Sequence, residues 1–192
     1  MNEPLSRAKA NLRQQVRERL NALTSQQREA GARKICSRLR LQTIWQSADT
    51  VLFFAPLRTE PDIWPLLEEA LVAGRTVALP RFSAPTQNYV ACVVRNLETD
   101  LRSGQFGIRE PVASCAEIPL NRLDLVLVPG LGFDRNGRRL GRGKGFYDRL
   151  LATVPGTKCG IAFDEQMVDA VPVGPLDVCL NCILTPKRWI ET

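Results

Sequence analysis

Residues 137–145 of this chain read Gly-Arg-Arg-Leu-Gly-Arg-Gly-Lys-Gly, and Gly130, Gly132 and Arg135 lie just upstream. Glycine at this density costs backbone entropy, and it is retained where the main chain must come close to something. With Arg138, Arg139, Arg142 and Lys144 interleaved, that something is an anion. Before the run lies an apolar stretch, residues 125–128, bounded by Asp124 and Pro129, which predicts a buried strand. After it, Phe146, Tyr147, Leu150 and Leu151 fall on one helical face. Strand, glycine-rich basic loop and helix is an arrangement that binds phosphate through main-chain N–H groups and a helix N-terminus.

The generic nucleotide fingerprints do not fit. GxxxxGK[ST] fails because Arg138 stands five residues before Gly143 and Gly145 follows Lys144. GxGxxG fails because Asp148 occupies the place of the third glycine after Gly143 and Gly145. The plain alternative is a surface loop with solvated arginines. Two further readings are an RNA-binding module tracking a backbone through residues 137–145, and an α/β enzyme handling a sugar phosphate or coenzyme A. Arginine–glycine segments that bind RNA usually repeat within disorder, whereas this one occurs once, between an apolar strand and an amphipathic helix.

Composition narrows the chemistry. The chain has no histidine, which excludes Ser-His-Asp and Cys-His catalysis and histidine metal sites. Cys179-x-x-Cys182 lacks the second pair expected of a zinc site, and the six scattered cysteines predict reduced, buried thiols. A net charge of +6 favours anionic partners. At 192 residues, 44% apolar and 24% charged, the chain is expected to form a single domain over residues 1–192. No apolar run reaches the length of a membrane span, and no secretory segment opens the chain, so a cytoplasmic protein is expected.

The elements that must position these residues follow from periodicity. Leu5, Leu12, Val16, Leu20 and Leu23 predict an amphipathic helix over about residues 4–22, with Lys9, Arg13 and Arg17 as a basic stripe beside the apolar face. Of the three, Lys9 lies nearest that face and Arg17 farthest. Thr24-x-x-Gln27 reads as a capping box opening a second helix to about Arg40. Strands are predicted over residues 50–55, 76–79, 89–95, 158–163 and 182–185, in addition to 125–128. Thr59 is expected to cap a helix that begins near Pro61 and ends at Gly74, which would place Glu60 and Asp62 at its positive end. Glu60 and Asp62 also sit just past a strand, where open α/β sheets collect ligands. Arg81, at another strand end, is either an anion contact or a plain surface arginine. Residues 96–122 and 171–177 read as loop. Strands alternating with helices imply an α/β fold with a parallel or mostly parallel sheet and helices on both faces.

Three stretches together resemble the 5-formyltetrahydrofolate cyclo-ligases, also called methenyltetrahydrofolate synthetases. They are the long motif over residues 129–148, the Lys-x-x-x-Arg element with Leu12 (Lys9, Leu12, Arg13), and the acidic pair in Thr-Glu-Pro-Asp, residues 59–62. The resemblance runs along nearly the whole chain. It implies a three-layer Rossmann-like sandwich and conversion of 5-formyltetrahydrofolate and ATP to 5,10-methenyltetrahydrofolate, ADP and phosphate, with Mg²⁺. It assigns ATP to Lys9, Arg13, Arg139, Leu140, Gly141, Arg142, Gly143, Lys144, Gly145, Phe146 and Tyr147. It assigns the folate to Ala55, Glu60, Arg142, Gly143, Lys144, Gly145 and Phe146, with Phe54 as neighbour to Ala55. Arg139 and Lys144 would stabilise the transferring phosphoryl group, and Asp148 and Asp177 would hold Mg²⁺. The implied partner is a reduced folate, polyglutamylated or not, for a monomer that binds neither nucleic acid nor membrane. The sequence departs from the family pattern at Phe146, where tyrosine is common, at Leu176, where histidine is, and at Asn181 and Pro186, which are frequently acidic.

Overall fold

The computed structural model describes residues 3–104, 107–143 and 145–192. Among the described residues there are five α-helices: α1 (Glu3–Ala22), α2 (Ser25–Arg40), α3 (Thr43–Gln46), α4 (Trp64–Val72) and α5 (Phe146–Leu151). The strands are β1 (Thr50–Leu52), β2 (Thr76–Ser83), β3 (Asn88–Val94), β4 (Leu101–Ser103), β5 (Arg109–Pro111), β6 (Glu117–Ile118), β7 (Leu125–Val128), β8 (Gly132–Phe133), β9 (Arg139–Leu140), β10 (Thr157–Ile161), β11 (Cys182–Leu184) and β12 (Trp189–Glu191). Among the described residues no helix is long and apolar enough to cross a membrane.

The main sheet has eight strands in the order β12-β11-β10-β7-β1-β2-β3-β6. Its centre is parallel, from β11 through β10, β7 and β1 to β2, while β12, β3 and β6 join antiparallel at the edges. The central strands read as continuous apolar runs because both faces are covered. Val51, Val77, Leu79, Leu125, Leu127, Ile161 and Leu184 pack with Val16 and Leu20 of α1, Ile35 and Leu39 of α2, Trp45 of α3 and Leu66 and Leu67 of α4. Their neighbours Leu52, Ala78, Val126, Val128 and Ile183 point to the opposite face, toward Leu150 and Leu151 of α5 and Val154. The expected three layers are therefore present but uneven, with four helices on one face and one short helix on the other.

Among the parallel strands the chain steps from β1 to β2 on one side and from β7 to β10 on the other. The crossovers lie on opposite faces, α4 on one and α5 on the other, and the winding reverses between β1 and β7. In open α/β sheets such a reversal leaves a crevice beyond the carboxyl ends of the strands. Both the loop carrying Glu60 and the glycine-rich motif leave from those two strand ends.

Several local expectations are corrected. The capping box at Thr24 is present, its hydroxyl accepting from Gln27 N at 3.2 Å and Gln27 Oε1 from Thr24 N at 2.8 Å. Thr59 caps nothing: α4 starts at Trp64 with Pro65 in its first turn, where a missing N–H costs nothing. Pro61 biases Glu60 away from helical geometry, so residues 56–63 stay irregular. Strand β1 ends at Leu52, although Phe53 N still donates to Ala78 O at 2.9 Å. β2 runs through Pro80 to Ser83, because beyond Ala78 it no longer has β1 as a neighbour and a residue without N–H is tolerated there. Residues 96–122, read as loop, contain the β4–β5 hairpin and β6. Arg81 is not a plain surface arginine, and the anion it meets is a carboxylate of the chain itself. It clasps that excursion, donating to the carbonyls of Val112 (3.0 Å), Cys115 (3.3 Å) and Ala113 (3.4 Å) and to Glu117 Oε1 (2.9 Å). The six cysteines are unpaired, and all but Cys179 are buried.

Candidate active site

Inside the motif read as one long loop, β8 and β9 form a small hairpin, so Arg139 and Leu140 lie on a strand and are buried. The hairpin turn is tied by Asp134, whose fully buried carboxylate accepts from Asn136 N (2.9 Å), Arg138 N (3.1 Å) and Val171 N (2.8 Å). The corner before it is held by Gln166, also fully buried. Its amide donates to Gly130 O at 2.7 Å, and its oxygen accepts from Phe163 N at 2.7 Å.

These supports fix Arg139, which is 5% exposed. Its Nη2 donates to Asp148 Oδ1 at 2.8 Å and its Nη1 to Pro129 O at 3.4 Å, and its guanidinium carbon lies 5.7 Å from the Tyr147 ring centre. The Nε has no hydrogen-bond partner among the described residues. Gly130 makes room for this side chain: a Cβ there would meet Phe133 Cζ at 2.7 Å and Arg139 Cγ at 3.0 Å. The turn from β9 to α5 then carries Gly141, Arg142, Gly143 and Gly145. Gly143 adopts φ +112°, which L side chains avoid. Lys144 lies outside the described residues.

Helix α1 borders this turn. Arg13 Nε donates to Gly141 O at 2.9 Å, and one helical turn away Lys9 Nζ pairs with Asp177 Oδ2 at 2.5 Å. Asp177 Oδ2 also accepts from Gly174 N at 2.6 Å, which seats the 174–177 turn against α1. Burial, and then Arg17, hold the Arg13 guanidinium below its usual pKa, with Asp177 opposing. Arg17 itself is exposed, as its angular position predicted.

On the other side of the crevice Glu60 is buried. Its Oε2 accepts from Leu57 N at 2.9 Å and its Oε1 from Arg142 Nη2 at 2.7 Å. Ala55 is half-buried at the end of the β1 segment. The structure thus gathers Lys9, Arg13, Arg139, Arg142, Asp148, Asp177 and Glu60 into one band across the switch point, with Tyr147 against Arg139. Burial pushes the Tyr147 phenol well above its usual range, with Glu60 adding in the same sense.

The carboxylates expected as metal ligands, Asp148 and Asp177, are each paired with a cation through one oxygen. Asp148 Oδ2 and Asp177 Oδ1 accept no hydrogen bond from the described residues. Among the described residues no group of three or more acidic, cysteine or histidine side chains could hold a metal alone. Two hard oxygen donors do suit Mg²⁺, which characteristically takes one or two carboxylates and completes its shell with phosphate and water.

A sequence model of the 5-formyltetrahydrofolate cyclo-ligase family matches residues 5–186. The chain belongs to that family. Relatives named 5-formyltetrahydrofolate cyclo-ligase include one from Escherichia coli K12, 32% identical over 180 residues, covering 92% of this chain and 99% of that protein. Another, from Mycolicibacterium smegmatis, is 37% identical over 153 residues, covering 75% of this chain and 77% of the other. The NMR structure of Aquifex aeolicus 5,10-methenyltetrahydrofolate synthetase superimposes with a TM-score of 0.85 at 31% identity, covering 95% of this chain and 92% of that one.

Around Phe146 and Tyr147, which the cyclo-ligase resemblance singled out, the structure adds Phe82 and Tyr89 to make an aromatic cluster. Phe82 of β2, Tyr89 of β3 and Phe146 of α5 lie with ring centres 5.2–6.0 Å apart, and Tyr147 lies 5.8 Å from Tyr89. Arg149 caps it, 5.0 Å over Phe146 and hydrogen-bonded to Asn88 Oδ1 at 2.5 Å. Phe82 and Tyr89 are cross-strand partners. The signal for them was the hairpin itself, hidden because Pro80 argued for ending the strand at Leu79. Asp134 lay within the long motif over residues 129–148 but without an assigned role, and Gln166 carried no sequence signal.

Proposed function

We propose that this chain closes 5-formyltetrahydrofolate to 5,10-methenyltetrahydrofolate at the expense of ATP, in a Mg²⁺-dependent reaction releasing ADP and phosphate. What supports this most directly is the meeting of two loops at the switch point in a chain of this family. One brings a buried arginine and a glycine-rich turn, the other a buried carboxylate.

The chemistry explains why such a site suffices without histidine. A formyl oxygen leaves poorly as hydroxide. It instead attacks the γ-phosphorus of ATP, forming an O–P bond while the bond from phosphorus to the ADP oxygen breaks. The neighbouring ring nitrogen, N10, then adds to the formyl carbon, and phosphate departs with the former formyl oxygen. The N10 proton is lost and the positive charge remains delocalised over the two nitrogens of the product. Catalysis of this kind is positioning and charge stabilisation.

Arg139 and Lys144 are assigned to the transferring phosphoryl group. Lys9, Arg13 and residues 139–147 are assigned to the nucleotide, with preorganised amides of the glycine-rich turn. Glu60, Ala55 and residues 142–146 border the folate, where Glu60 accepts from N–H groups of the pteridine and the rings of Phe82, Tyr89 and Phe146 offer it faces and edges. Asp148 and Asp177 would hold Mg²⁺, which neutralises charge between the phosphates. Burial of Arg139 is paid for in part by Asp148, and exclusion of water around it protects the phosphorylated intermediate from hydrolysis.

The test is the appearance of methenyltetrahydrofolate absorbance from 5-formyltetrahydrofolate. Product is expected only when ATP and Mg²⁺ are both present, with one ADP per product. Absence of turnover with both present overturns the proposal.

A further inference from the structure

Given the cyclo-ligase reading above, on which its role rests, Arg142 stands where the two substrates meet. Glu60 and Arg142 come from opposite sides of the switch point, the first after β1 and the second between β9 and α5. The two oxygens of Glu60 are held differently. Oε2 accepts from Leu57 N at 2.9 Å, part of a turn in which Glu60 N also donates to Leu57 O at 2.8 Å. Oε1 has one donor among the described residues, Arg142 Nη2 at 2.7 Å. The backbone bond keeps the carboxylate aimed while the side-chain bond can be exchanged.

Arg142 is built for such an exchange. Its side chain is 42% exposed against 6% for Glu60, and it forms no other hydrogen bond or ion pair among the described residues. It stands between Gly141 and Gly143, and Arg13 anchors the Gly141 carbonyl on the nucleotide side. Arg139 is a contrast, being buried with Asp148 on its own side of the crevice.

We propose that Arg142 changes partners in the catalytic cycle, leaving Glu60 when the pteridine takes Oε1 and turning to the nucleotide phosphates. A buried carboxylate gives up its cation at a cost, which falls when another donor replaces it. The folate supplies that donor, and the phosphates supply the anion that the guanidinium then meets. Either ligand alone must separate the pair, whereas the second to arrive finds it separated. The two affinities are therefore coupled, and the coupling is reciprocal. Arg142 thus holds Glu60 on one side of this exchange and the nucleotide on the other, while Glu60 passes from Arg142 to the folate.

Calorimetric titration of the full chain with the Mg²⁺ complex of the β,γ-imido analogue of ATP tests this, with and without saturating 5-formyltetrahydrofolate. The folate is expected to tighten the analogue by ~5-fold or more, the lower end of ordinary coupling. In Arg142→Ala the tightening disappears. In Glu60→Gln, where the pair is weakened without loss of volume, the analogue binds more tightly than to wild type in the absence of folate. A purely structural role for Glu60 would instead loosen it. Binding of both ligands without coupling, full coupling in Arg142→Ala, or looser analogue binding by Glu60→Gln overturns the proposal. No binding of 5-formyltetrahydrofolate to the wild type overturns the cyclo-ligase reading, and the partner exchange with it.

Discussion

Asp148 shows at the scale of one residue how charge is apportioned in this site. Its Oδ1 receives Arg139, and its Oδ2 accepts no hydrogen bond from the described residues. The carboxylate can thus hold the arginine and ligate a cation at once. Asp148→Asn separates the two roles. Losing the anion leaves Arg139 buried against a neutral amide, which destabilises the fold; the full cost of an uncompensated buried charge is ~3–5 kcal/mol. If Asp148 also binds Mg²⁺, the concentration needed for half-maximal turnover rises by ~10-fold or more. A lowered melting temperature with an unchanged metal titration would leave Asp148 as the holder of Arg139 and nothing more. For Lys144, assigned through the family motif, Lys144→Ala is expected to lower turnover by ~100-fold, the scale for removing one transition-state stabiliser. Turnover near that of the wild type would take the lysine out of the reaction.

Among the elements, the β8–β9 hairpin decides where Arg139 stands, and it depends on close approach at Gly130. Gly130→Ala places a methyl group 2.7 Å from Phe133 Cζ and 3.0 Å from Arg139 Cγ, in surroundings that are almost fully buried. Overpacking of this kind costs ~1–3 kcal/mol. Urea unfolding should show that loss, and turnover should fall as Arg139 is displaced; a variant with unaltered stability and turnover would mean the corner relaxes freely. This hairpin also marks where sequence reading stopped. Helices α1 and α2 were legible from apolar spacing and the Thr24–Gln27 box, and the central strands from their apolar runs. The glycines at 130 and 132 looked like loop, yet Gly132 opens β8 and Gly130 forms the corner before it, because glycine is kept where another side chain must pass close by. Pro61 and Thr59 suggested a helix start that Pro65 supplies instead, because Glu60 is committed to Leu57 and Arg142. The order of cations along residues 137–145 announced an anion site. The pairing of Arg139 with Asp148, of Arg142 with Glu60 and of Lys9 with Asp177 depends on strand order, which no local pattern contains.

For the whole molecule, the parallel order β11-β10-β7-β1-β2 explains why residues from 9 to 177 can meet at one crevice. The reversal between β1 and β7 sends α4 to one face and α5 to the other, and it leaves their preceding loops side by side. Helix α1 closes the crevice from the N-terminal part of the chain, through Arg13 on Gly141 and Lys9 on Asp177. A ligand in this crevice therefore bridges segments far apart in the chain, and its binding energy is linked to global unfolding. At a free concentration ~100 times Kd, a ligand bound only by the folded state adds ~2.7 kcal/mol, which for a chain of this size raises Tm by roughly 5–10 °C. The Mg²⁺ complex of the ATP analogue is expected to give such a rise, and Lys9→Ala a smaller one at the same concentration. Calorimetric scans with and without the complex would check this. An equal rise in Lys9→Ala would mean that α1 takes no part in holding the phosphates, and that its basic stripe serves only to seat the 174–177 turn.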